Sequence, residues 1–153
     1  MTEKQIEEFK RRIATGSKEE LLIVTFDIMS EYIEEAESDF QRKNIEEFLE
    51  KNKNARKCLG NIISSLNMDY SLSYELLRLY LFINKSLIQS EIRKEPVNYQ
   101  CISTIINKIR NSFAVVAANE KTATGYNNDG EIYAGLTYSK GASLNETVFA
   151  QKI

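Results

Sequence analysis

Histidine and tryptophan are absent from this chain of 153 residues, proline occurs once and cysteine twice. The missing histidine excludes several chemistries together. Ser-His and Cys-His nucleophile pairs, His-liganded zinc and the Glu-x-x-His di-iron sites of helical bundles all need an imidazole. Cys58 and Cys101 stand far apart and form no Cys-x-x-Cys pair. They read as small apolar core residues in a reducing compartment, and the sequence leaves a disulfide between them open. The single proline, Pro96, suits long uninterrupted helices. Charge of one sign does not dominate: Lys+Arg is 20 against Asp+Glu 22, a net charge of -2. No basic field therefore draws the chain to nucleic acid. The longest apolar run, Phe113–Ala118, falls far short of the roughly 18–20 residues that a membrane span needs. The polar start, Met1 to Lys4, lacks the apolar segment of a secretory signal. The expectation is a cytoplasmic protein with no cofactor, no metal, no nucleic acid and no membrane among its partners.

Apolar residues do recur at helical spacing through most of the chain. Ile6, Phe9 and Ile13 make a sparse stripe over residues 1–16, which read as a short amphipathic helix or a mobile arm ended by Gly16. Ser17-Lys18-Glu19-Glu20 has the form of a capping box. The stripe that follows it, Leu21, Val24, Ile28, Tyr32 and Ala36, is widened by Leu22, Met29, Ile33 and Phe40. The other face of this helix is acidic, from Asp27 to Asp39, and reads as solvated. Asn44 is placed to cap a third helix, with Glu46 and Glu47 in its first turn and Ile45, Phe48, Leu49, Asn52, Ala55, Leu59, Ile62, Ile63 and Leu66 along its stripe. Residues 67–71 form a connector, after which Ser71 or Ser73 caps a fourth helix. That helix is apolar almost all round, so it is expected to be central or to line a groove. Pro96 ends it and is placed to open the first turn of a fifth, which carries Ile102, Ile105, Ile106, Ile109, Phe113 and Val116 and fades near Ala118. The fold predicted is all-α: an up-down antiparallel four-helix bundle over residues 17–118, preceded by the short arm and followed by an irregular C-terminal tail.

The strongest enzymatic lead is Glu46-Glu47-Phe48-Leu49-Glu50, a spacing that sets carboxylates on one helix face where Mg2+ can bind. All-helical nucleotide pyrophosphohydrolases pair such a motif with a second acidic couple. Here Arg78 follows Glu75, and Lys94 follows Glu91, at that spacing. Half a metal site reads as an acidic helix start near the positive dipole end. The Lys51–Lys57 patch lacks interleaved aromatics, and no phosphate-cradling loop follows a strand. The chain therefore reads as a binding protein, not an enzyme.

Order of features then becomes informative. Thr15-Gly16-Ser17-Lys18-Glu19-Glu20-Leu21 precedes Val24-Thr25-Phe26-Asp27 and Ala36. Later come Leu76-Leu77-Arg78-Leu79-Tyr80-Leu81-Phe82 and Ile109-Arg110-Asn111-Ser112-Phe113. Over about residues 6–118 this resembles the flagellin-specific export chaperones of bacteria, the FliS family. That family's pattern runs roughly Thr-Ala-Ser-Pro-x-x-Leu, Leu-Tyr-Asp-Gly, an alanine, a leucine-rich stretch ending Leu-Tyr-x-Tyr, and Leu-Arg-x-x-Trp. The chain departs from it at Lys18, Thr25-Phe26, Ile28 and Phe113, where helix and core character are kept.

The resemblance implies a cytoplasmic chaperone for the C-terminal segment of flagellin, which is disordered in the monomer and folds into helices in apolar grooves. Covering that segment prevents premature polymerisation and keeps flagellin export-competent, with the export apparatus as a further partner. The alternative class is a helical regulatory adaptor for another protein. By position, Leu21, Leu22, Phe26, Leu79, Phe82 and Ile83 are the groove candidates, and Ile6, Phe9 and Ile13 match the family's N-terminal arm. Residues 119–153 lie outside the resemblance. They are polar, with Gly125, Gly130, Gly135 and Gly141, yet carry the apolar cluster Ile132, Tyr133, Leu136 and Tyr138. They read either as disordered or as a docking peptide for the client groove, in cis or from a second copy of the chain.

Overall fold

The structure, a computed structural model, describes residues 1–122, with side chains to Asn119. Five helices follow in order: α1 (Glu3–Thr15), α2 (Lys18–Gln41), α3 (Ile45–Ser64), α4 (Ser71–Arg93) and α5 (Tyr99–Thr122). This is the expected all-α bundle with a short N-terminal helix, and no strand occurs among the described residues. The long helices alternate in direction. Lys51, early in α3, reaches Glu35, late in α2, at 3.2 Å. Asn52, early in α3, donates to the Leu87 carbonyl, late in α4, at 2.9 Å. Asn98, just before α5, donates to Ser86 Oγ near the end of α4 at 3.1 Å.

The central element is α2, not α4. It packs against α1, α3 and α5, and Phe26 reaches Tyr80 of α4 across the interior, ring centroids 6.4 Å apart. The apolar surplus of α4 instead goes to an edge position, packed on α3 and barely meeting α5. The core is one cluster fed by all five helices. At one end Phe48 stacks between Phe40 and Tyr99, with centroids 5.6 and 6.2 Å away.

Local chemistry explains the boundaries. Thr2 caps α1 with a full capping box, its side chain accepting from the Gln5 amide while the Gln5 side chain accepts from the Thr2 amide. Ser17 accepts from the Glu20 amide at the start of α2. Only Gly16 and Ser17 separate these two helices, and the reversal is tight. A Cβ on Gly16 would lie 2.6 Å from the Arg12 carbonyl oxygen, so only glycine fits. Elsewhere the expected caps differ. Asn44 holds the N-cap position of α3 as expected, but makes no side-chain cap bond. Tyr70 holds the N-cap position of α4, and Ser71 is its first residue. Ser73 Oγ turns back to the Asn67 carbonyl, tying the connector to the helix. Pro96 lies between α4 and α5 and not in the first turn of α5, because Asn98, in the left-handed region with φ 58°, occupies the cap and its carbonyl accepts from Ile102. Helix α5 continues to Thr122, past the point where the apolar stripe fades.

A buried polar knot fixes α3, α4 and α5 together. Asn52 is fully buried. It donates to the Leu87 carbonyl and to Glu91, at 2.9 and 3.2 Å, and accepts from the Tyr99 hydroxyl at 2.6 Å. Arg56 completes the knot by donating to Glu91 at 2.6 Å. Every buried group named here has a partner, which is the condition under which burial of polar groups is tolerated.

Candidate functional site

Two regions carry more chemistry than the fold requires. The first is the seat of α1. This helix runs antiparallel along the outer face of α2, where Glu20, Asp27, Glu31 and Glu35 recur at helical spacing. The N-terminal amine of Met1 pairs with Glu35, which also takes Lys51 of α3. Gln5 Nε2 donates to Glu31 at 3.2 Å. Arg12 pairs with Asp27 at 2.9 Å, and the same carboxylate holds Arg110 of α5 through two bonds of 2.8 and 3.2 Å. The hydrogen bond to Asp27 raises the Arg110 pKa above its ordinary value, against a smaller opposing effect of burial. The acidic face expected to be solvated is thus partly an attachment strip for the arm. Between its clips Phe9 and Ile13 are buried and Ile6 is half-buried. An open pocket at the turn, about 310 Å³, is lined by Glu8, Arg11, Arg12, Thr15, Glu20 and Ile23. Its arginines are already engaged, Arg11 by Glu8 and Arg12 by Asp27.

The second region is the outer surface of α4. Leu79 and Phe82 are 40% and 39% exposed, Tyr74, Leu81 and Ile92 55%, 51% and 76%. Helical geometry sorts these residues into two shoulders. Ser86 and Ser90 accept from Asn98 and Val97, so their side of the helix faces the start of α5. Leu79 and Phe82 precede Ser86 by seven and four residues and share that side. With Leu72 they edge the cleft where α4 and α5 scarcely touch. Glu91, bonded to Asn52 and Arg56, marks the α3 side. Half-buried Leu77 and Ile88, with exposed Tyr74, Leu81 and Ile92, run along that other shoulder. Exposed Arg78 and Lys85 stand on the crest between the two.

The six groove candidates therefore separate. Leu79 and Phe82 are accessible. Leu21, Leu22, Phe26 and Ile83 are all within 1% of complete burial and belong to the interior. The attachment residues Asp27, Glu31 and Glu35 escaped the sequence reading. Their i, i+4, i+8 spacing, opposite the basic positions of an amphipathic arm, is the signal that points to them. Cys58 is buried as expected, whereas Cys101 is exposed on α5, and no disulfide joins them. Ile132, Tyr133, Leu136 and Tyr138 lie outside the described residues.

What this arrangement can do is bind. Among the described residues no group of three or more His, Cys, Asp or Glu side chains is placed to hold a metal ion, and no helix is long and apolar enough to cross a membrane. Compared with protein-family models, residues 1–120 match the family described as flagellar protein FliS. Neither the curated proteins nor the solved structures gave a match.

Proposed function

The chain belongs to the FliS family of flagellar chaperones, and on that premise we propose that it is a cytoplasmic export chaperone for the C-terminal segment of flagellin. The observation that carries the reading is the apolar α5-facing shoulder of α4, where Leu79 and Phe82 edge the cleft with about two-fifths of their surface exposed. An amphipathic helix laid along the α4–α5 cleft covers them, and side chains at i, i+3, i+4 and i+7 supply the anchors. Leu21, Leu22, Phe26 and Ile83 act from behind, fixing where the walls of the cleft stand. A client that is disordered when free loses a few kcal/mol in becoming helical, so one shoulder is not enough. The seat of α1 offers more apolar area. Its charged clips are partly buried and Phe9 and Ile13 lie buried beneath it, so α1 yields its place on α2 when client side chains take over the apolar contacts of those two residues.

The coupling of folding to binding is tested by calorimetry and far-UV circular dichroism, titrating a C-terminal flagellin fragment into the full chain. One-to-one binding, a negative heat-capacity change and a gain of helix signal are expected. A folded protein that leaves a soluble fragment unbound sinks flagellin as the client. The bundle would then be read as an adaptor for another protein.

A further inference from the structure

Flagellin in the α4–α5 cleft leaves the opposite shoulder of α4 unaccounted for. Tyr74, Leu81 and Ile92 are each more than half exposed there, with Leu77 and Ile88 half-buried between them. The stripe from Tyr74 to Ile92 is about 27 Å long. On the neighbouring helix α3 the surface beside it is low. Gly60 is exposed, and a Cβ placed on it would touch nothing within 4 Å. Gly60 lies on the side of α3 that carries Asn52 and Arg56, which bond α4, so the surface beside the stripe is open there. Its edge is basic, with Arg78 and Lys85 on the crest and Lys53 and Lys57 exposed on α3.

We propose that this shoulder is the docking site for a segment of the same chain, residues 129–138. Three observations select that occupant. Helices α2 and α5 run antiparallel, as do α2 with α3 and α3 with α4, so α5 ends at the end of the bundle where α4 begins. The chain continues for 31 residues past Thr122. From Thr122 to Ile132 is ten residues, which span up to about 33 Å when extended. That is more than enough to turn the end of α4 and reach its middle. The segment Asp129-Gly130-Glu131-Ile132-Tyr133-Ala134-Gly135-Leu136-Thr137-Tyr138 also carries two acids directly ahead of its apolar cluster. Asp129 and Glu131 complement Arg78 and Lys85, while Ile132, Tyr133, Leu136 and Tyr138 match the apolar stripe. Docking on the α3 side, and not in the α4–α5 cleft, leaves the flagellin site free. The proposal therefore stands whether or not flagellin is the client.

The test uses the full chain without any client. A photo-reactive p-benzoylphenylalanine is placed at Leu81 and, separately, at Ile92, both exposed enough for the bundle to fold normally, which far-UV circular dichroism verifies. Irradiating a mixture of isotopically light and heavy protein distinguishes intrachain from interchain products by mass spectrometry. Cross-links within single chains, mapping to residues 129–138 and reduced at least tenfold by Ile132→Glu with Leu136→Glu, are the expected result. Cross-links joining light to heavy chains would overturn the proposal in favour of a second copy as occupant. Absence of any product with residues 129–138 would overturn it outright.

Discussion

Replacing Asn52 by alanine removes the centre of the knot that joins three helices. The cost can be worked out group by group. The Tyr99 hydroxyl, which donates to Asn52 Oδ1 at 2.6 Å, is left without that acceptor in a buried position. An unpaired buried donor costs about 1–3 kcal/mol. Glu91 loses less, because Arg56 still holds it at 2.6 Å. The missing amide leaves a small void worth about 1 kcal/mol. Asn52→Ala should therefore destabilise the chain by about 2–4 kcal/mol. Tyr99→Phe should cost about 1–2 kcal/mol, since it strands only the Asn52 oxygen. The double variant removes both halves of the bond together, so it should cost less than the sum by about 1–2 kcal/mol. Urea denaturation at 25 °C with an unchanged slope measures all three. Additivity within about 0.3 kcal/mol would show that the two side chains do not act as a pair and would refute the reasoning. Alkaline pH gives a second reading of the same knot. Burial, and then the negative charges of Glu37 and Glu91, raise the Tyr99 pKa well above its ordinary value. The folded chain thus keeps a proton that the unfolded chain releases above about pH 10. This contribution to stability is fully present below that pH and is lost as pH rises beyond it, so Tyr99→Phe should lessen the alkaline fall in stability.

Asp27→Asn takes the carboxylate from both Arg12 and Arg110, and should loosen α1 by about 1–2 kcal/mol after allowance for its partial exposure. Hydrogen exchange in residues 3–15 should speed up about tenfold, and unchanged exchange would deny Asp27 its role as a clip. Phe82→Glu should weaken flagellin-fragment binding at least about tenfold, because an apolar anchor of this size is worth about 1.5–3 kcal/mol. The same titration with Leu81→Glu, on the far shoulder, should match the unaltered protein, and equal losses would contradict the division of α4 into two surfaces. Gly60→Ala, in mid-helix with open space around the new methyl group, should stabilise the bundle by about 0.5–1 kcal/mol in the same urea assay.

The helices were legible because each buries one face, and a buried face repeats at 3.6 residues whatever it packs against. Neighbours are another matter. Apolar richness suggested that α4 is central or lines a groove; it edges a cleft, and α2 holds the central place while displaying an acidic face. Part of that face is covered by α1 through the charges that made it look solvated. Hydropathy measures how much a helix must bury and leaves the partner unspecified. The same ambiguity affects the candidate groove. Phe26 and Phe82 look alike in sequence, but one is enclosed beside Tyr80 and the other edges an open cleft. Caps were placed correctly at Ser17, whose oxygen meets a free amide, and at Asn44, which makes no side-chain bond, and wrongly before α5, where Asn98 and not Pro96 adjoins the first turn. The Thr2–Gln5 box escaped the reading, although it opens the stretch read as a short amphipathic helix or a mobile arm.

Asp27 accepts Arg12 from fifteen residues upstream and Arg110 from 83 residues downstream. On a ribosome the chain emerges from its N-terminus. The arm, its acidic strip and the first arginine are therefore available long before the second arginine exists. Until α5 arrives, α1 rests on a half-built anchor. The anchor that helps to seat α1 is thus complete only once α5 has been made.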